Sequence, residues 1–401
     1  MHHPLSFLLL VSILLHNTLA KYVLVDDYSS NAFWQGFSFF TDPDPTNGHV
    51  KFMSMAQANA SGLVGFMHGG NTSQAIYMGV NSTAKTPTGR GAVRVQSIKT
   101  YQHALVLADI VHMPGGICGT WPAFWMVGDE WPKNGEIDIV EGVNDATSNQ
   151  MTLHTGHGSV ISNLSSSDAF TGRVLTKDCD VNAANQDKNA GCGIADESGL
   201  TFGTDFNTNG GGVFAMEWTS TAIKIWFWPR GTFPGDLSTF PAQPAPSTES
   251  WGLPQSVFQG QNANIDTHFN NLRLVFDTTF CGDWAGAVWN QSQTCSKLAP
   301  TCQQYVSNNP QVFEEAYWAI NDLMVWQDDG TGPARFTAPG SSVKINQLAD
   351  HAVQPSTGWR LAKPASAMNL GEQTGSATGR KHNHGAKHKL RARRGGSVLL
   401  R

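Results

Sequence analysis

Glu136, Asp138 and Glu141 stand in the run Asn134-Gly135-Glu136-Ile137-Asp138-Ile139-Val140-Glu141-Gly142. The isoleucines at 137 and 139 alternate with acids at 136 and 138, the period of a half-buried strand. On that pattern Ile137 and Ile139 face a core, and the two acids share the opposite face. Strict alternation would carry Glu141 to the apolar side, where an unpaired carboxylate is costly. One extra residue, Ile139 or Val140, held in a β-bulge returns Glu141 to the face of the other two. Three carboxylates crowded on one strand face repel each other and raise at least one pKa, which is poor for stability and useful for acid catalysis. A pair of them about 5 Å apart suits cleavage of a glycosidic bond with retention, one as nucleophile and one as acid/base. The plain alternative is a solvated acidic edge strand, charged against aggregation.

The flanks favour chemistry. Upstream runs Gly119-Thr120-Trp121-Pro122-Ala123-Phe124-Trp125, then Trp131-Pro132, and downstream lies Leu153-His154-Thr155. Tryptophans beside paired carboxylates are natural sugar platforms, because their flat apolar faces stack on pyranose rings.

With these residues in place, the segment from Gly115 to Glu141 closely resembles the fungal laminarinase-type enzymes of glycoside hydrolase family 16, endo-1,3(4)-β-glucanases with a β-jelly-roll fold. The resemblance extends from about Tyr22 to Gln327. It includes Phe37-Ser38-Phe39-Phe40-Thr41-Asp42-Pro43 and Phe280-Cys281-Gly282-Asp283-Trp284-Ala285-Gly286. The six-residue acid motif is the laminarinase-type variant, whereas lichenases carry a shorter E-x-D-x-E. The resemblance implies an all-β jelly-roll sandwich of two antiparallel sheets with a concave substrate cleft. It also implies a retaining endo-β-glucanase that cuts internal β-1,3 bonds, and β-1,4 bonds in mixed-linkage glucans, of laminarin-type and cell-wall glucans. In that scheme Glu136 is the nucleophile, Glu141 the acid/base and Asp138 the assisting acid. Trp125, Trp131 and Trp284 match sugar-stacking positions, and His154 matches a histidine that lines the cleft near the acids. Trp121, followed by Pro122, could face either way. Arg94, polar between Val93 and Val95, is a candidate to bond a sugar hydroxyl or a cleft carboxylate. No cofactor or metal enters the chemistry; a structural calcium ion is compatible with the family. A β-glucan transglycosylase would keep the same glutamates, and a lectin-like glucan-binding module would keep the tryptophans without turnover.

Composition agrees with this class. Charged residues make up 14% of the 401, against about 25% in an average soluble protein. Forty-one glycines and thirteen tryptophans point to many turns and an aromatic-rich surface or cleft. The net charge of −5 is unevenly spread. From Arg380 onward there are eight Lys or Arg and no acid, which leaves 18 basic against 31 acidic residues elsewhere. An acidic body excludes nucleic acid as its partner. Neither is a membrane partner expected, and the chain is read as a monomer.

Three regions follow along the chain. Met1–Ala20 reads as a secretory signal, with a short apolar run over Phe7–Leu15 and small residues before Lys21, although His2 and His3 stand where Lys or Arg is usual. Residues 21–329 read as the catalytic domain, and 330–401 as a disordered basic tail rich in Gly, Ser, Thr, Pro, Lys and His. The patch from His382 to His388 is a weak sign of metal. Secretion also fits six cysteines at 118, 179, 192, 281, 295 and 302, of which Cys179 and Cys192 are the local pair, and five glycosylation sequons at Asn59, Asn71, Asn81, Asn163 and Asn290. Strand-like runs include Val50–Met53, Ala92–Ser97, Leu105–Ile110, Gly212–Trp218, Ala222–Trp228 and Leu272–Phe276. Helical patterns cover Ser296–Ser307 and Pro310–Tyr317, and Glu217 reads as structural.

Overall fold

The computed structural model describes residues 22–69, 73–162, 169–237 and 246–328, together with the backbone of Trp359–Leu361. The expected leader, the sequons at Asn71 and Asn163, and most of 330–401 lie outside these residues. Among the described residues no helix is long and apolar enough to cross a membrane.

Runs that alternate apolar with polar residues, punctuated by Gly and Pro, build two large antiparallel sheets. One has eight strands, in the order Arg173–Val174, Cys192–Ala195, Gln150–His154, Glu136–Glu141, Thr120–Val127, Arg273–Phe280, Arg94–Ser97 and Phe37–Phe39. The other has nine, centred on Gly212–Trp218, Ala104–His112 and Trp318–Asp328, with Tyr22–Asp27 paired to the last of these. The main core lies between them. Val106, Ala108, Phe214 and Met216 from the nine-stranded sheet join Phe124, Met126, Ile137 and Phe276 from the eight-stranded one. Phe124 and Phe276 stack across neighbouring strands with centroids 4.2 Å apart. Burying each such side chain contributes about 1.5–3 kcal/mol. This is the all-β sandwich expected.

The details differ in places. The predicted Ala92–Ser97 strand is split into Arg90–Ala92, which pairs in parallel with Val50–Phe52, and Arg94–Ser97 in the large sheet. The predicted helix over Ser296–Ser307 is broken by Pro300, which cannot donate to a preceding turn. A 3-10 turn covers Cys295–Lys297, and a helix restarts at Cys302–Asn308 with Thr301 as N-cap, its side chain accepting from Gln304 N. Pro310–Phe313 is a 3-10 turn rather than a longer helix. Within 330–401, Trp359–Leu361 is not free chain but an edge strand that pairs with Met67–Gly69.

The cysteines pair as Cys118–Cys295, Cys179–Cys192 and Cys281–Cys302. The first and third fasten the 295–313 segment beneath the turn that carries Trp284, in a small apolar cluster with Phe280, Trp289 and Phe313.

Candidate active site

The acid strand Glu136–Glu141 sits near the middle of the eight-stranded sheet, between Thr120–Val127 and Gln150–His154. It starts after Gly135 (φ 81°), where a Cβ would lie 2.5 Å from the His268 carbonyl oxygen, so only glycine fits. Its register against Thr120–Val127 runs Ile137 opposite Met126 and Asp138 opposite Trp125, then slips to Val140 opposite Phe124 and Glu141 opposite Ala123. Ile139 is therefore the extra residue. Ile139 and Val140 both enter the core, and the slip returns Glu141 to the face of Glu136 and Asp138. Residues opposite one another across a ladder share a face, so the acids stand on the side of Trp121 and Trp125, away from the core.

Most of the sequence-predicted site residues converge here. His154, opposite Glu136 in the ladder, sets Nε2 3.3 Å from Asp138 Oδ2 and 4.0 Å from Glu136 Oε1. Trp121 Nε1 donates to Glu141 Oε1 at 2.8 Å, and its ring meets Trp284 edge-on at 5.7 Å; Trp121 thus faces the acids. Arg94 is buried, with its guanidinium 4.9 Å from the Trp125 ring and 4.3 Å from that of Phe40. Trp131 behaves otherwise. It stands 45% exposed in the loop before the acid strand, and no hydrogen bond joins it to the acids among the described residues.

Sequence reasoning missed Asp277. It lies opposite Arg94 on one side and Ala123 on the other, so it shares the acid face, and Trp125 Nε1 donates to its Oδ1 at 3.3 Å. Its outward alternation with inward Leu274 and Phe276 was a legible sign; its partner strands were not. Nearby, Thr279 donates to Asp44, closing the face toward the Thr46–Gly48 turn. Asn149, also missed, bonds the backbone of the acid strand at two points.

The electrostatics follow from packing four carboxyls into this face. Burial, then repulsion from Asp138, raises Glu136 to about 8, against the opposing pull of His154 and Arg94. Burial and Asp138 likewise raise Glu141 to about 8, with the Trp121 hydrogen bond and His154 opposing. Burial, then Asp277, pushes Asp138 well above the usual range. Burial pushes Asp277 to about 7, with Arg94 opposing. Asp138 Oδ2 has no hydrogen-bond partner, and no hydrogen bond joins it to Glu136 among the described residues; His154 is the cation-forming group that approaches it. One donor atom each from Glu136, Asp138 and His154 lie within 4.8 Å of one another, the one grouping among the described residues that could hold a cation. It is the acid site itself. Such a face can bind a sugar chain on aromatic rings, present one carboxylate to an anomeric carbon and deliver a proton from another.

Comparison with known proteins agrees with the fold. Residues 37–326 match the model of the XgeA-like, catalytic GH16 domain. An endo-1,3(4)-beta-glucanase of Arthroderma benhamiae is 44% identical over 330 residues, covering 82% of this chain and 69% of that protein. A probable glycosidase of Schizosaccharomyces pombe is 42% identical, over 76% of this chain and 69% of its own length. The chain spans only 43% of a probable endo-1,3(4)-beta-glucanase of Aspergillus niger, at 38% identity. Among solved structures, an elongating family-16 beta-1,3-glucosyltransferase superposes with TM-score 0.69 at 42% identity, over 76% of this chain and all of the other. A laminarinase of Phanerochaete chrysosporium, with 6-O-glucosyl-laminaritriose in its donor and acceptor sites, gives TM-score 0.68 at 39% identity, over 76% of this chain and 99% of that one. With its bulged acid strand on the outer face of a jelly-roll sheet, this chain belongs to glycoside hydrolase family 16.

Proposed function

We propose that the protein is a secreted endo-β-glucanase that hydrolyses internal β-1,3 bonds of laminarin-type glucans, and β-1,4 bonds in mixed-linkage glucans, with net retention. The observation that carries the reading is the bulged acid strand, which sets Glu136, Asp138 and Glu141 on one face beside Trp121 and Trp284. Glu136 has both His154 and Arg94 acting to favour its ionised form. Glu141 has His154 and a single hydrogen bond from Trp121. Burial among acids raises both glutamates to about 8, so the roles follow the family match: Glu136 supplies the attacking carboxylate and Glu141 the carboxylic acid that donates.

In the first step a Glu136 carboxylate oxygen bonds to the anomeric carbon as the glycosidic C–O bond breaks. The Glu141 proton passes to the departing sugar oxygen. In the second step Glu141 removes a proton from water, the water oxygen bonds to the anomeric carbon, and Glu136 leaves as carboxylate. Burial and Asp277 push Asp138 well above the usual carboxylate range, which favours its neutral form beside Glu136. Trp121, Trp125 and Trp284 supply the stacking faces along the sugar chain, and Trp131 an outlying one. Three disulfides support an oxidising compartment, in keeping with the leader and sequons.

A transglycosylase reading is favoured by the solved neighbour described as an elongating beta-1,3-glucosyltransferase. It differs only in which acceptor resolves the intermediate. Mass analysis of products from laminarin, lichenan and a 1,6-branched glucan separates the two. Hydrolysis gives shorter oligosaccharides from the outset, while chains longer than the starting material as dominant products would replace it with transfer.

A further inference from the structure

The hydrogen-bond ladder between the acid strand and Gln150–His154 ends at Asp138 opposite Thr152. Beyond it, the bulged stretch has no strand partner on that side, and its backbone groups need others. Buried N–H and C=O groups left without partners lose their hydration with nothing to replace it. One side chain serves both. Glu141 N donates to Asn149 Oδ1 at 2.7 Å, and Asn149 Nδ2 donates to the Ile139 carbonyl at 2.7 Å. Asn149 is 1% exposed and is itself fixed on its other side. Its N–H donates to Thr201 Oγ1 at 3.1 Å, the Thr201 hydroxyl donates to Asp196 Oδ2 at 2.9 Å, and Asp196 N donates to the Asn149 carbonyl at 2.9 Å.

We propose that Asn149 is a positioning residue for Glu141, its carboxamide holding the bulge in the register that puts Glu141 on the catalytic face. The inference rests on the reading of Glu141 as acid/base. A carboxamide offers a donor and an acceptor on one short planar group. An aspartate carboxylate can only accept, so it would set a lone pair against the Ile139 carbonyl; a leucine offers neither. Without the clamp the strand can regain backbone pairing by losing the bulge, and a one-residue slip sends Glu141 toward the core. Asn149 is buried and bonds the backbone of the acid strand, so its loss should look like loss of Glu141 and not like a general loss of fold.

The test compares Asn149→Leu and Asn149→Asp with Glu141→Ala in the full chain, on a β-1,3-gluco-oligosaccharide and on an aryl β-glucoside with a good leaving group. Glu141→Ala is expected to lose about 10²- to 10⁴-fold in kcat on the oligosaccharide and little in the rate of glycosylation by the aryl glucoside. Asn149→Leu should follow the same split, with KM within a few-fold. Asn149→Asp should be impaired at pH 7 to 8 and recover, relative to the parent at the same pH, toward pH 4, where the introduced carboxyl is protonated and donates to Ile139. Equal losses on both substrates for Asn149→Leu, or near-parental activity, would overturn the proposal while leaving Glu141 in its role. Should Asn149→Leu not fold, a ratio of Asn149→Asp to parent activity that is flat with pH overturns it instead. A Glu141→Ala variant without the leaving-group split removes the acid/base reading, and this inference with it.

Discussion

The two sheets bury acids in opposite ways. On the nine-stranded sheet, Glu217 accepts from Tyr22 OH at 3.0 Å and Thr248 Oγ1 at 2.7 Å, and pairs with Lys224 Nζ at 3.0 Å. Asp109 on the same sheet takes both terminal nitrogens of Arg230 and the amide of Asn321. On the eight-stranded sheet, Asp138 is as deeply buried, yet its Oδ2 accepts no hydrogen bond and, besides His154, its neighbours are carboxyls. Burial with partners makes structure. Burial among like charges stores free energy that chemistry can use.

The largest effect that sharpens this contrast is on turnover. Glu136→Gln should reduce kcat on laminarin by at least about 10⁴-fold, the scale on which losing a nucleophile acts, with sugar binding retained by calorimetry. Glu217→Ala should leave kcat unchanged and lower stability by about 1–3 kcal/mol, because the Tyr22 and Thr248 hydroxyls lose their acceptor. A Glu217→Ala variant with poor turnover at full stability would break the comparison.

The next effect is on stability against pH. In the unfolded chain the site carboxyls ionise near their ordinary values, while in the fold Glu136 and Glu141 hold protons to about 8. Between those limits the native state binds more protons than the unfolded state, so these groups favour the fold at pH 4 and cease to as pH rises through about 8. Asp138→Asn removes one member of the set and relieves its neighbours. Its Tm relative to the parent should therefore rise from pH 4 to pH 8, as read by scanning calorimetry. A Tm difference that falls over the same range would mean the acids are paired after all.

The smallest effect concerns Trp131. If this exposed ring stacks on an outlying sugar, Trp131→Ala should raise KM about 2- to 10-fold, the worth of one aromatic contact, on long oligosaccharides only. An equal effect on short ones would place it nearer the acids.

Much of this was legible in local pattern. The Ile137/Ile139 alternation, together with the cost of burying Glu141, required a bulge, though nothing local chose Ile139 over Val140; the pairing of Val140 with Phe124 does that. The Trp121 side chain could face either way until its bond to Glu141 decided it. Asp277 and Asn149 escaped notice for a shared reason. Each acts through partners from elsewhere in the chain, Asp277 beside Arg94 across 183 positions and Asn149 beside a strand it does not belong to. A single polar residue in a strand carries no sign of its neighbour. The helix predicted over Ser296–Ser307 fails for a local reason, because Pro300 divides it into Cys295–Lys297 and Cys302–Asn308.

The central claim, that Glu136 forms a covalent bond to the sugar, is tested most directly by trapping. A 2-deoxy-2-fluoro-β-glucosyl donor with a good leaving group slows both steps but spares the first, so the intermediate accumulates. Peptide mass mapping should then find one added glycosyl group on the peptide that holds the acid strand, fragmenting to Glu136, and none in Glu136→Gln. A glycosyl group on Glu141, or turnover of the donor with no adduct and an α-configured first product, would contradict the account.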